Sequence, residues 1–384
     1  VEVFDQFRGV IGIAVLLLLA WSLSEDRGRR PGAKWILGAL GLQLAFALLI
    51  VRVPFVWDFF TLANQGVSAI ERATLDGSAY MFGYLGGADL PFELKMGAQP
   101  PLIIAFQILP LVIVFSALAA LLWHWGVLRW LVNGLSFLLR RTLGVSGVVG
   151  LSGGANMFLG VVESPLVVRA YFAKMSRAEL FQVMVLTMAS ISGAVLVLYA
   201  STLQGVLGDG ATGHLISASL VSLPAALLIA KLMVPDDCAV KTETHEEDEP
   251  GLSYASSIDA IVKGTMDGMQ LFLAVIAIIL VVFALVALGD QVLAALPWVD
   301  GEPLSVKRLF GWFFAPFMWL LGVPWAESQA AGSLMGTKVI LNEYVAFLEL
   351  SALEDSVLSE RGTLIVTYTL CGFANLASIG LLVS

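Results

Sequence analysis

Two carboxylates stand in stretches that are otherwise apolar: Glu163 in GGANMFLGVVESPLVV (153–168) and Glu343 in AAGSLMGTKVILNEYVAF (330–347). A charge at the centre of a membrane helix costs roughly 2.5–3.5 kcal/mol on insertion scales and is rarely turned to lipid. A sheltered carboxylate can accept bonds from hydroxyl groups or carry a proton. In both segments, small residues lead through a central glycine to the carboxylate and on to an apolar half. Small polar groups follow each of them, Ser190 and Ser192 in MASISG (188–193), and Asn375 and Ser378 in CGFANLASIG (371–380).

The elements that must position these groups follow from composition. The 384 residues are 58% hydrophobic and 13% charged, with a mean hydropathy of +0.88; soluble chains carry about 25% charged residues. A soluble enzyme is thereby excluded. A bilayer core about 30 Å thick needs about 20 apolar residues per helix. Segments of roughly 9–23, 33–52, 102–123, 180–203, 214–234, 268–289 and 363–383 are read as spans, giving an all-α integral membrane fold with seven transmembrane helices in this segment. Other apolar segments, roughly 54–84, 125–142, 144–170, 304–321 and 324–350, are broken at short intervals by glycine, proline or charge. Of these, 125–142 and 304–321 set Arg129, Arg140 and Arg141, or Lys307 and Arg308, among Trp, Phe and Leu, which suits interfacial or oblique helices.

The glycines of the carboxylate segments (Gly153, Gly154 and Gly160, with Pro165, and then Gly332 and Gly336) predict chains that enter as half-helices, turn and leave. Irregular backbone at membrane depth is tolerated only against protein or water. The two segments are therefore read as re-entrant hairpins lining a site. A hairpin followed by a helix with polar groups at depth, occurring twice, is the sequence pattern of an inverted-repeat transporter.

Arg27, Arg29, Arg30 and Lys34 place the first connection in the cytoplasm, and the acidic 53–100 connection outside. The N-terminus is then outside. The acidic linker at about 235–253 reads as a solvated loop.

Other chemistries find little support. The formal charge of −9 with 21 Lys+Arg argues against a nucleic-acid partner. Cys238 and Cys371 read as two free thiols, and His124, His214 and His245 show no metal spacing. Neither HExxH nor GxSxG occurs. An intramembrane enzyme using Glu163 and Glu343 as acid and base, or a channel, would be separated from a transporter by gradient-driven uptake into proteoliposomes.

The stretches GVVESPLVVRAYFAKMSRAELFQVMVLTMASISGAV (160–195), GTKVILNEYVAFLEL (336–350) and CGFANLASIG (371–380) resemble the hairpins and broken helices of the concentrative nucleoside transporters. The likeness is strong over roughly 145–384 and looser before it. It implies a homotrimer importing nucleosides by cation symport, with an elevator-like movement of a domain containing both hairpins. It further implies that Glu343, Asn375 and Ser378 hold the ribose hydroxyls, with Phe373 against the nucleoside and Glu163 and Val195 near the base. Sodium ligands would be the side chains of Asn156 and Ser190 and the backbone carbonyls of Leu159 and Ile191, with a proton as the alternative coupling ion.

The family typically has Gly-Gln-Thr-Glu where this chain has Gly160-Val161-Val162-Glu163. An apolar wall discriminates between bases weakly, whereas a site that bonds a base edge discriminates strongly. The substrate is therefore expected to be a purine nucleoside, a broader set, or another ribosyl or non-nucleoside compound. The expected division is 1–143 and 204–303 as scaffold, with 144–203 and 304–384 as transport domain. A start at Val1, and a family that continues past Ser384 with one more helix to make about eight, lead to the expectation that the native chain is longer. A bacterial inner membrane is the expected location.

Overall fold

A computed structural model of the chain describes residues 2–52, 54–93, 103–159, 164, 167–235, 242, 253–298, 301, 303–354, 356–375 and 378. Among the described residues there are helices and no strand. Helix α1 spans Glu2–Ser22, α2 Ala33–Arg52 and α3 Pro54–Phe82. After a single turn at Ile104–Gln107 come α4 (Pro110–His124), α5 (Val127–Leu143) and α6 (Gly147–Asn156). Then follow α7 (Arg177–Ala189), α8 (Gly193–Leu207), α9 (Ala211–Met233) and α10 (Ser257–Ala294). The last group is α11 (Val306–Leu321), α12 (Trp325–Ile340), α13 (Glu343–Ser351) and α14 (Glu360–Leu370).

Segments Ala33–Ile50, Ile104–His124, Ala211–Met233 and Ser257–Ala294 are long and apolar enough to cross a bilayer. α11 and α12 meet at 118°, as in a broken or re-entrant span. The long α10 turns Leu273, Leu280, Phe283 and Leu288 outward, a face suited to an apolar surrounding. Exposed Trp130 and Phe137 on α5, and Phe313 on α11, keep these two helices compatible with the interfacial reading.

Two expectations are corrected. Segment 54–84 is not broken: α3 runs unbroken for 29 residues. Its polar groups fall at helical spacing, with Thr74 and Ser78 buried and Glu71 and Leu75 half-buried beside them, so that charge and glycine mark an amphipathic helix and not interruptions. Nor do the paired glycines turn the hairpins. Gly153 and Gly154 lie within α6, and Gly332 and Gly336 within α12. They are there for close approach: a Cβ at Gly154 would lie 2.6 Å from the Val132 carbonyl oxygen on α5, and one at Gly332 would lie 2.8 Å from the Ala315 nitrogen on α11. Gly150 and Gly336 meet the same partner helices. Small residues four apart let two helix backbones approach closely without help from the hydrophobic effect. Each half thus contains one helix seated on the glycines of a hairpin helix, α5 on α6 and α11 on α12.

The predicted spans 180–203 and 363–383 are interrupted as the polar groups within them implied. α7 stops at Ala189, and Ser190 and Ser192 are extended before α8 begins. α14 stops at Leu370, and Cys371 is extended. α7 starts with a reciprocal capping box between Ser176 and Glu179. Of the acidic linker, Thr242 is described at its centre, and its backbone N–H donates to Glu179 at 2.9 Å. Cys238 and His245 lie outside the described residues. Cys371 is a free, buried thiol.

Candidate functional site

The second break is built around Glu343. Leu341 leaves helical geometry, and Asn342 restarts the chain by capping α13, its Oδ1 accepting from Val345 N at 2.9 Å. That cap prevents α12 and α13 from joining, and it points the Glu343 side chain into the protein, where it is 4% exposed. Tyr199 Oη on α8 donates to Oε1 at 2.7 Å, and Asn375 Nδ2 donates to Oε2 at 2.9 Å. Asn375 is held at its other end, because its Oδ1 accepts from Ser378 N at 2.8 Å. A carboxylate has about four lone-pair positions. Tyr199, Asn375 and the residue's own backbone N–H donate to this carboxylate, which keeps acceptor capacity for a neighbouring hydroxyl.

The first break is built around Asn156, the last residue of α6 and fully buried. Its Nδ2 donates to the Leu186 carbonyl and to Ser190 Oγ, each at 2.7 Å. Its Oδ1 is buried and has no hydrogen-bond partner among the described residues, an arrangement that costs about 1–3 kcal/mol. Leu159 and Ile191 are buried in the two stretches on either side. A carboxamide oxygen, a hydroxyl and carbonyls freed at the ends of two half-helices form an all-oxygen donor set that fits a small hard cation. Among the described residues no group of three or more His, Cys, Asp or Glu is arranged to hold a metal ion, and the amide, hydroxyl and carbonyls named at this break are neutral donors.

The two breaks touch. Gly372 takes φ +147°, a conformation open mainly to glycine, and a Cβ there would lie 3.1 Å from the carbonyl oxygens of both Met188 and Ala189. Ile191, Val195, Tyr199, Tyr344, Phe347 and Phe373 share one core. Asn156, Ser190, Ile191 and Leu159 are therefore gathered at one break, and Glu343, Asn375, Ser378 and Phe373 at the other, with Val195 on the helix between them. Glu163, Val161 and Val162 lie outside the described residues.

Sequence reasoning missed Tyr199, which packs on Phe347 with ring centroids 4.9 Å apart. The available signal was its spacing of four from Val195, which puts both on one face of α8. It also missed Lys338, whose Nζ donates to the Thr369 carbonyl at 2.8 Å.

Family models for the N-terminal and C-terminal parts of sodium-dependent nucleoside transporters match residues 11–85 and 214–384, and a nucleoside-recognition gate model matches 105–205. The nucleoside permease NupC of Helicobacter pylori is 31% identical over 386 residues, which cover 99% of this chain and 89% of the permease. This chain belongs to the concentrative nucleoside transporter family. An uncharacterized transporter of Haemophilus influenzae is 35% identical over 97% of this chain and 87% of its own. A solved structure of CNTnw in an inward-facing substrate-bound state superimposes with a TM-score of 0.83 at 35% identity, covering 98% of this chain and 89% of that one. The family consists of membrane transporters and not of enzymes.

Proposed function

We propose that this chain imports nucleosides by symport with sodium. The observation that carries the reading is the buried Glu343 carboxylate, bonded to Asn375 and Tyr199 at a helix break, a charged acceptor suited to ribose hydroxyls. Ser378 and Phe373 complete the sugar side, while Val195, and by sequence Glu163, Val161 and Val162, face the base. Asn156 and Ser190, with the carbonyls of Leu159 and Ile191, hold sodium, and the unpartnered Asn156 Oδ1 supports this. Ion and sugar sites lie on helices whose breaks touch, so filling one steadies the backbone of the other. That is the physical basis of coupling.

The movement is elevator-like, with 144–203 and 304–384 as the transport domain and 1–143 and 204–303 as the scaffold, in a homotrimer within a bacterial inner membrane. The close seating of α11 on α12, both within 304–384, supports their motion as one rigid unit. Purified protein titrated with nucleosides, free bases and sugars, in sodium and in choline, tests the reading. Sodium-enhanced binding of a nucleoside is expected. Binding that prefers a free base or a sugar contradicts the proposed substrate.

A further inference from the structure

The two hairpin helices carry the same pattern with one change at its end. In α6, Gly150 and Gly154 seat the preceding helix and Asn156 stands two residues beyond. In α12, Gly332 and Gly336 do the same and Lys338 stands two residues beyond. Both side chains are buried. Both reach a carbonyl within the last four residues of the helix that then breaks: Asn156 reaches Leu186 of α7 at 2.7 Å, and Lys338 reaches Thr369 of α14 at 2.8 Å. In the first half this place ends in a neutral amide with an unpartnered oxygen. In the second half it ends in an ammonium group.

A cation near a helix C-terminus is favoured by the partial negative charge of the freed carbonyls. A lysine there supplies that charge on a covalent stem, with three N–H donors and no acceptor. Glu343 lies within electrostatic reach of Lys338, so two buried charges compensate each other where either alone would be costly.

We infer that the Lys338 ammonium is a built-in cation for the second half, occupying the place that corresponds to the ion site of the first. This rests on the reading of Asn156 as a sodium ligand. The lysine fixes the geometry of the second break permanently, so that only the first break responds to external sodium. Lys338 is a positioning residue, since it acts on the α14 end and on Glu343.

The test is the unfolding temperature of the purified full-length chain, titrated with sodium chloride against choline chloride at constant ionic strength. Each bound ion adds its own concentration-dependent stabilisation. Wild type is expected to show a one-site response. Lys338→Asn copies the first half and vacates the place of the ammonium, so its rise with the logarithm of sodium concentration should be roughly twice as steep. Lys338→Met removes the charge while filling the space, and it should unfold at a lower temperature with the wild-type slope.

The proposal is overturned if the Asn variant is no better off in sodium than wild type, whether through an unchanged slope or through failure to be purified in either salt. A steeper slope in the Met variant also overturns it, because the added ion would not then lie in the vacated place. If wild type is flat while the Asn variant responds, the sodium reading of Asn156 fails: the Lys338 ammonium then fills a cation place in the second half, but its correspondence to an ion site of the first is overturned. If both are flat, both fail.

Discussion

The halves α5–α8 and α11–α14 are built alike and end differently. Each seats one helix on a pair of glycines four apart, and each follows its hairpin helix with a helix that stops within the protein. At the first tip stand an amide and hydroxyls with an unpartnered oxygen; at the second stand a carboxylate and an ammonium. The shared packing sets where the helices break, and the few residues at the break decide what is bound there. The same scaffold can thereby present neutral oxygens to an ion on one side and a charged acceptor to hydroxyls on the other.

The strongest way to break this comparison is Glu343→Gln. Charge-assisted hydrogen bonds are about twice as strong as neutral ones, so losing the charge that meets the ribose should weaken nucleoside binding by about tenfold or more, each 1.4 kcal/mol being tenfold. Sodium-dependent stabilisation should persist, because the first tip is untouched. Equilibrium binding and unfolding temperature on the same preparation separate the two effects.

The next effect concerns Val161 and Val162. A polar base edge left unpaired against them costs roughly 1–3 kcal/mol, so uridine should bind about ten- to a hundredfold more tightly to Val161→Gln/Val162→Thr than to wild type. Equal affinities, or tight uridine binding by wild type, would remove these valines from the specificity determinants.

Tyr199→Phe should act more mildly. It removes one donor to Glu343 Oε1 and leaves the packing on Phe347 in place. A net hydrogen bond is worth about 1 kcal/mol, so nucleoside affinity should fall roughly fivefold. Unchanged affinity would make the tyrosine a packing residue only.

The smallest effects on nucleoside binding should come from the paired substitutions Gly154→Ala and Gly332→Ala. Each sets a methyl group against the backbone of the neighbouring helix, and overpacking of this kind costs about 1–3 kcal/mol. Similar drops in unfolding temperature are expected, with binding per folded molecule little changed. A large drop in one half alone would contradict the equivalence of the two interfaces.

Glu343, Asn375 and Ser378 were legible in the sequence because polar groups in long apolar stretches are conspicuous, as were the hairpins and the breaks at Ser190 and Cys371. Tyr199 was not. In LVLYAS (196–201) it reads as one more apolar residue, and its partner Glu343 is 144 residues away in sequence. Gly153, Gly154, Gly332 and Gly336 were misread as turn formers, because a glycine that bends a chain and one that admits a neighbouring helix look identical until that helix is in place; Gly160 and Pro165 lie outside the described residues. α3 was misread for a related reason: its charges interrupt hydropathy along the chain, yet Arg72 and Asp76 lie on the exposed side of one continuous helix.

Uptake of radiolabelled adenosine into proteoliposomes tests the central claim most directly. With an inward sodium gradient, the vesicles should accumulate adenosine above the external concentration, and replacing sodium by choline should abolish accumulation. Uptake that is unchanged in choline and collapses when a pH gradient is dissipated would contradict sodium coupling, and would move the ion role from Asn156 and Ser190 to a proton carried by Glu163.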